Sequence, residues 1–190
     1  MSSASGFVGI DAGGTSIKLV YAPDDNVENV TQRHSVPTST PKETLDAVVA
    51  WMRRLPPFRA IGVASFGPLD LTRESKTYGH ITTTPKPGWQ FVDMLSPLRA
   101  AFPGVPLGFD TDVNAAAVGE LQHGGHGAHV SSLAYVTVGT GVGVGLVIEK
   151  RSVKGLLHPE MGHLRPPLHA ADIKNNYKGT CPFHGTSTEG

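Results

Sequence analysis

Residues Phe7-Val8-Gly9-Ile10-Asp11-Ala12-Gly13-Gly14-Thr15 run from an apolar stretch into an acid, two glycines and a hydroxyl. The apolar part reads as a strand. A strand that ends at an aspartate and continues through two glycines lets backbone N–H groups approach an anion, because no Cβ stands in the way. Asp11 would lie beside that anion. A carboxylate repels phosphate unless a divalent metal lies between them, so this pairing suggests a magnesium-bound nucleotide rather than a bare anion. Thr15 adds a hydroxyl and Lys18 a point charge. The same residues suit a tight hairpin turn between runs 7–10 and 16–21, which Gly13-Gly14 supports unaided. On these residues alone both readings stand.

Working outward, residues 27–36 alternate loosely and suit a third strand ended by Pro37. A helix follows. Thr40 caps it, Pro41 fits its first position, Glu43 completes a capping box, and Leu45, Val48, Val49 and Met52 form one apolar stripe. Pro56-Pro57 stops it. Residues 60–65 read as a buried strand running into the turn Phe66-Gly67-Pro68, which completes a strand, helix, strand unit with a right-handed crossover. Residues 78–89, rich in Thr, Pro, Gly and Lys without a period, are expected to form a surface loop; their composition equally suits the lining of a site. A second helix is expected over 92–102 and a short strand over 107–109. Asp110-Thr111-Asp112-Val113-Asn114 then opens a helix through Ala115, Ala116, Ala117, Val118 and Leu121. Runs 132–138 and 142–149 are β-branched, apolar and joined by Gly139-Thr140-Gly141, a second strand, glycine turn, strand unit.

At 190 residues the chain can bury a real core as one large domain or two small ones. Lys+Arg and Asp+Glu each number 16, so no global field favours nucleic acid or membranes. Residues 1–6 have neither the basic start nor the apolar core of a secretory signal, and no run approaches the length of a membrane span. The single cysteine, Cys181, cannot form an internal disulfide, which suggests a reducing, cytoplasmic compartment. The 23 glycines and 15 prolines point to many turns rather than a helical bundle.

Two glycine hairpins, each after an apolar strand, with an Asp-x-Asp-x-Asn helix start between them, resemble sugar kinases of the actin and hexokinase superfamily. More narrowly, the chain resembles ROK-family kinases. The resemblance rests on Gly9-Ile10-Asp11-Ala12-Gly13-Gly14-Thr15, Ser65-Phe66-Gly67-Pro68, Asp112-Val113-Asn114-Ala115-Ala116-Ala117, Gly139-Thr140-Gly141-Val142-Gly143 and Glu160-Met161-Gly162-His163, which span nearly the whole chain. Within the family, His158-Pro159-Glu160-Met161-Gly162-His163, Cys181-Pro182-Phe183-His184-Gly185 and Thr84-Pro85-Lys86-Pro87-Gly88-Trp89 are similar to bacterial-type fructokinases.

The resemblance implies an α/β fold: an actin/hexokinase-like (ribonuclease H-like) N-terminal lobe over 1–110, with the beginning of a second lobe over 111–190. It implies ATP-dependent phosphorylation of a hexose, fructose to fructose 6-phosphate foremost. Asp112 matches the family's general base, accepting the sugar hydroxyl's proton as that oxygen attacks the γ-phosphorus. A carboxylate is a weak base for an alcohol, so orientation matters more than basicity. Asp112 also suits a plain helix N-cap. The family usually has Asn before this Asp, where Thr111 stands, a departure that concerns sugar contacts.

Gly13, Gly14 and Thr15, with Lys18, would cradle ATP phosphates from one side, and Gly139, Thr140 and Gly141 from the other, while Asp11 holds magnesium. Gly67, Pro68, Thr111, Asp112, Glu160, His163 and Glu189 match positions near the sugar. Carboxylates suit that task because they accept bonds from vicinal hydroxyls. His163, Cys181 and His184 match three of four ligands of a structural zinc. The fourth should be a cysteine and is Ser187, a poor ligand, so zinc is expected to be weakened or lost unless water, His158 or His169 substitutes. His123, His126 and His129 read as a solvated loop.

Family members continue beyond the equivalent of Gly190 into a lobe that holds the adenosine. The chain is therefore expected to be a truncated fructokinase, and an inactive remnant that binds sugar or pairs with another subunit is the alternative. The expected partners are a hexose and ATP, with no nucleic acid and no membrane; a homodimer is one expected assembly. Repressors of the family carry an N-terminal helix-turn-helix, which six residues before the first strand do not provide.

Overall fold

The computed structural model of the protein describes residues 5–26, 29–139, 141–154, 161–164 and 167–179. Strand β1 (Gly6–Ala12) turns Val8, Ile10 and Ala12 inward and leaves Gly9 and Asp11 on its other side, the period-two alternation of a strand. The glycine turn folds it back onto β2 (Ser16–Ala22), antiparallel, with Ala12 opposite Ile17. Gly13 N–H donates to Ser16 O at 3.1 Å and closes the turn. β3 (Gln32–Pro37) extends the sheet beside β2 and begins later than expected, where Gln32 meets Tyr21; Val27 and Glu28 lie outside the described residues.

Helix α1 (Pro41–Met52) starts as its sequence dictates. Thr40 is extended (φ −71°, ψ 147°), its hydroxyl oxygen accepts the Glu43 N–H at 3.4 Å, and the same hydroxyl donates to the Glu43 carboxylate at 2.8 Å. The buried stripe is Thr44, Leu45, Val48, Trp51 and Met52; Trp51 takes the place expected of Val49 and stacks on His34. The chain then enters β4 (Phe58–Ser65), parallel to β1, and after α2 (Ser96–Ala101) enters β5 (Leu107–Thr111), parallel to β4. The order β3-β2-β1-β4-β5 makes one mixed five-stranded sheet.

The second helix is shorter than the expected span 92–102. Asp93 is the cause: its Oδ1 accepts from the N–H groups of Leu95 and Ser96 at 3.0 and 2.9 Å, holding the chain in a turn, and Pro97 then suits the first helical turn. The core lies between this sheet and the α1 and α2 side. Val8, Ile10, Ile17, Leu19, Ile61, Val63, Val48, Met52 and Leu98 are all buried there. Each such side chain contributes about 1.5–3 kcal/mol by leaving water.

The surface loop expected at 78–89 holds only in part: Thr83, Pro85, Pro87 and Gly88 are exposed, while other residues turn into the core. Ile81 and Trp89 have no exposed surface and Thr84 is buried. The segment is tied down by single bridges, Leu69 to Ile81 and His80 to Asp93, too short to print a period on the sequence.

The opposite face of the sheet is floored by small residues. Gly9, Gly62 and Gly108 stand side by side on β1, β4 and β5, and they line an open groove of about 880 Å³ edged by Lys18, Arg33 and Arg73.

Past β5 the chain enters α3 (Asp112–His123) without a loop, then forms β6 (Leu133–Val138), β7 (Val142–Ile148) and β8 (Arg151–Ser152), an antiparallel sheet in that order. α3 lies close against β7. A Cβ on Gly145 would overlap the Val113 carbonyl oxygen, so only glycine permits this approach. β6 leaves Val136 and Val138 open. A 3-10 turn (Met161–His163) and α4 (Ala170–Lys174) complete the described elements.

Candidate active site

Three parallel strands deliver their carboxyl ends to one edge. Ala12, Ser65 and Thr111 form a row across β1, β4 and β5, and the residues that follow each are the glycine turn, the Phe66-Gly67-Pro68 turn and the start of α3. Carboxyl ends of parallel strands are where α/β sheets present ligand-binding loops. Adjacent strands lie about 4.8 Å apart, so the ends of β1 and β5, with β4 between them, are about 10 Å apart. Phe66 N–H extends the pairing by donating to Ala12 O at 2.8 Å, and the Gly67–Pro68 peptide is cis.

At the first corner, Asp11 is exposed, with Lys18 opposite it on β2. Gly13 is half-buried, and Gly14 and Thr15 are exposed. The turn is braced from outside. Thr38 N–H donates to Thr15 O at 2.9 Å, and the Thr38 hydroxyl donates to Gly13 O at 2.8 Å. The carbonyls on either side of Gly14 are thus both engaged by Thr38.

At the second corner the N-cap is Thr111, which overturns the plain-cap reading of Asp112. Thr111 is extended and its hydroxyl accepts the Asn114 N–H at 3.1 Å. Asp112 is the first residue of the helix, half-buried, and its carboxylate accepts its neighbour's Val113 N–H at 2.8 Å. A carboxylate in a first helical turn is favoured by the helix dipole. Thr111, expected near the sugar, is 1% exposed.

Asp110 is the hub beneath them. One oxygen accepts the Thr111 N–H and the Asn114 amide at 2.9 and 3.0 Å; the other accepts Ser152 Oγ–H and Lys154 Nζ–H, each at 2.9 Å. Sequence reasoning passed over this role. A buried-side acid two residues before another acid was the available signal.

The second glycine hairpin reaches the same corner through α3. Gly139 N–H donates to Gly141 O at 2.9 Å, and Thr140 lies outside the described residues. A Cβ on Gly143 would press on Val113 and Thr137 side chains, and one on Gly162 would overlap the Val142 carbonyl oxygen. The turn bearing His163 is therefore packed on the start of β7, and α3 beside it. The structure thus gathers Asp112, the Gly139 end of the hairpin and the His163 turn around β7, with Gly67 and Pro68 one strand from the first hairpin.

Glu160, Cys181, His184, Ser187 and Glu189, all named from sequence, lie outside the described residues, as does His158. Among the described residues no group of three or more His, Cys, Asp or Glu side chains gathers as a metal site. His169 caps α4, its Nδ1 accepting the Ala171 N–H at 3.3 Å. The histidines at 123, 126 and 129 are exposed, as expected, and His126 Nε2 lies 2.9 Å from Glu120 Oε1.

Pro68 is clasped by the neighbouring loop. Its carbonyl accepts the Thr82 N–H and hydroxyl at 2.7 and 3.1 Å. Trp89 closes that loop, its ring edge-on to Phe66 with centroids 5.5 Å apart.

The family model described as ROK family matches residues 7–190. The chain is 44% identical over 187 residues to the fructokinase of Zymomonas mobilis, covering 95% of this chain and 60% of that protein. It is 40% identical over 181 residues to the fructokinase of Lactococcus lactis subsp. cremoris, covering 95% and 59%. Among solved structures, the ROK hexokinase from Thermus thermophilus has a TM-score of 0.70 at 28% identity, covering 96% of this chain and 58% of that one. A ROK glucokinase from Streptomyces griseus, in complex with glucose and AMPPNP, gives 0.71 at 24% identity, covering 98% and 55%, and shows the fold alone. The α/β class expected from sequence is the one these kinases share. The chain spans about 60% of the length of the fructokinases it matches.

Proposed function

Because the chain belongs to the ROK family, we propose that it carries the phosphate-binding and catalytic half of an ATP-dependent hexose kinase acting on fructose to give fructose 6-phosphate. The observation that carries this reading is the shared edge: Gly13-Gly14-Thr15, Gly67-Pro68 and Asp112 follow three adjacent strands. Phosphoryl transfer needs a positioned hydroxyl, an acceptor for its proton and donors around the phosphates. β4 lies between the strands that lead into the glycine turn and into Asp112, about 10 Å across, a spacing that suits a phosphoryl group and an attacking hydroxyl held between the two loops.

In this reading Asp112 takes the hydroxyl proton as the sugar oxygen bonds to the γ-phosphorus and the ADP oxygen leaves. Gly13, Gly14, Thr15 and Lys18 bind phosphate from one side, and Gly139, Thr140 and Gly141 from the other. Gly67, Pro68, Thr111, Glu160, His163 and Glu189 surround the hexose, Thr111 mainly through its hold on the helix that bears Asp112. The proposed lobes are 1–110 and 111–190.

Asp11 fits magnesium because its carboxylate is exposed beside the glycine turn. Magnesium bound with ATP neutralises phosphate charge. For zinc the proposed donors are His163, Cys181 and His184. With Ser187 in the fourth place the set is one donor short, so a weak structural site is the proposal. Ser187→Cys should raise the zinc bound per chain, measured on protein purified without chelator; equal content in both proteins would sink this assignment. A cytoplasmic homodimer completes the proposal. Among the described residues no helix is long and apolar enough to cross a membrane.

A coupled assay with ATP, magnesium and a hexose panel tests the function. Turnover that Asp112→Asn nearly abolishes while fructose binding persists is the expected result. Full turnover in that variant would remove Asp112 as base. Because the chain spans about 60% of its relatives' length, the second reading is a fragment that binds sugar without turnover, and a wild-type chain inert toward every hexose would favour it.

A further inference from the structure

We propose that Trp89 is a positioning residue, and that through the strap Thr38-Ser39 it couples the phosphate hairpin to the hexose-side loop so that occupancy of one site strengthens binding at the other. This rests on the kinase reading above.

The strap is bonded at both ends. Thr38 holds the first glycine turn by two bonds, N–H to Thr15 O at 2.9 Å and hydroxyl to Gly13 O at 2.8 Å. One residue later, Ser39 O accepts the indole N–H of Trp89 at 2.9 Å, a contact between residues 50 apart in sequence. Ser39 N–H donates to Thr44 Oγ1 at 3.0 Å, and that hydroxyl donates to Pro37 O at 3.3 Å, which anchors the strap on α1. The strap therefore has little freedom to follow one neighbour without the other.

On the other side, Trp89 belongs to the loop that clasps Pro68. Its own N–H donates to Lys86 O at 3.2 Å, Phe91 N–H donates to Thr82 O at 3.1 Å, and Thr82 binds Pro68 O. Its ring meets Phe66, whose N–H is bonded to Ala12 O at the base of the first turn. Trp89 touches both routes between the two loops.

The simpler account is a core tryptophan with a satisfied N–H. A buried indole N–H does need an acceptor, since leaving it unpaired is costly. Nothing in that need selects the strap carbonyl, and a partner within its own loop would serve equally. The chosen acceptor is the residue next to the one that fixes Gly13 and Thr15. An anion drawn onto the N–H groups of Gly14 and Thr15 would bear on Thr38, which holds Thr15 O, and through Ser39 on Trp89.

The test has two readouts on the chain of residues 1–190. Hydrogen exchange needs no ligand. Trp89→Phe keeps a ring against Phe66 and removes the N–H, and the Thr38 amide should then exchange about five- to tenfold faster, as expected for loss of one supporting bond. Unchanged exchange at Thr38 in a folded Trp89→Phe chain would overturn the strap. Calorimetric titration with fructose, with and without magnesium-bound AMPPNP, reads the coupling. The wild-type chain should bind fructose more tightly with the nucleotide present. Trp89→Phe and Thr38→Val, the latter removing only the Gly13 bond, should each reduce that enhancement toward one while fructose alone still binds. A merely structural role would lower the melting temperature and leave the ratio intact. An undiminished ratio in both variants would overturn the coupling. A wild-type chain that binds neither ligand would overturn the kinase reading itself and the coupling with it.

Discussion

Lys154 reaches Asp110 across the seam between the two sheets, Nζ to Oδ2 at 2.9 Å, on the oxygen that also accepts the Ser152 hydroxyl. The acid's other oxygen holds the first turn of α3. One carboxylate thus fastens β5, α3 and the strand after β7 together. Asp110→Ala should cost about 1.5–3 kcal/mol, because it strands several donors at once. Lys154→Met should cost about 0–1 kcal/mol, its side chain being 42% exposed and the pair screened by solvent. Urea melts of the two variants would check the asymmetry, and equal losses would contradict it.

Glycines in this chain divide by what stands over them. Gly145→Ala places a methyl on the Val113 carbonyl and should cost about 1–3 kcal/mol or more as α3 is forced from β7. Gly62→Ala and Gly108→Ala meet nothing nearer than a backbone oxygen at 4.0 Å. They should raise stability by about 0.4–1 kcal/mol through the unfolded chain's lost freedom. Thermal melts of the three variants separate the classes.

Asp93 supplies a pH dependence. Burial pushes its carboxyl up, but the bonds from Ser96 and Leu95 and the neighbouring His80 outweigh that and hold it below its ordinary value of 3.8. A carboxyl held low binds protons less readily in the folded chain than in the unfolded one. Its stabilisation is therefore complete above 3.8 and is lost as pH falls through the lowered value. Melting temperatures measured from about pH 5 down to about pH 3 should fall more steeply for the wild type than for Asp93→Asn, and parallel slopes would count against this group.

Thr111→Val removes the acceptor of a buried Asn114 N–H and should cost about 0.5–2 kcal/mol. If Asp112 is the base, turnover should fall further than stability does, since the helix start bearing the carboxylate loses its cap. Turnover unchanged at a temperature where the variant stays folded would mean that the cap does not position it.

The parts legible in the sequence were those whose causes are local. Thr40, Pro41 and Glu43 announce α1 within four residues, and each glycine turn lies between its own two strands. The start of α2 was missed because Asp93 bonds the two N–H groups that a helix beginning at residue 92 would have used internally. Residues 78–89 read as surface because the acceptor that lets Trp89 be buried is Ser39, far away in the chain. Between Thr111 and Asp112, both good caps, the choice was made by β5: pairing of Thr111 with Ser65 keeps residue 111 extended and leaves 112 as the first helical residue. Asp11, Asp112 and the first glycine turn were legible as residues at strand ends, where the structure places them. The bracing by Thr38 and Asp110 was not, since it depends on which strands become neighbours.

The two tryptophans of the chain, Trp51 and Trp89, are both buried in the core of the five-stranded sheet. Indole emission during denaturation therefore follows the melting of that half and is blind to the β6-β7-β8 half, whose aromatic side chain on a strand is Tyr135. Far-ultraviolet circular dichroism sees both. Recording the two signals in one titration turns an ordinary melt into a half-by-half measurement: coincident curves mean the seam at Asp110 transmits unfolding, and separated curves give each half its own midpoint.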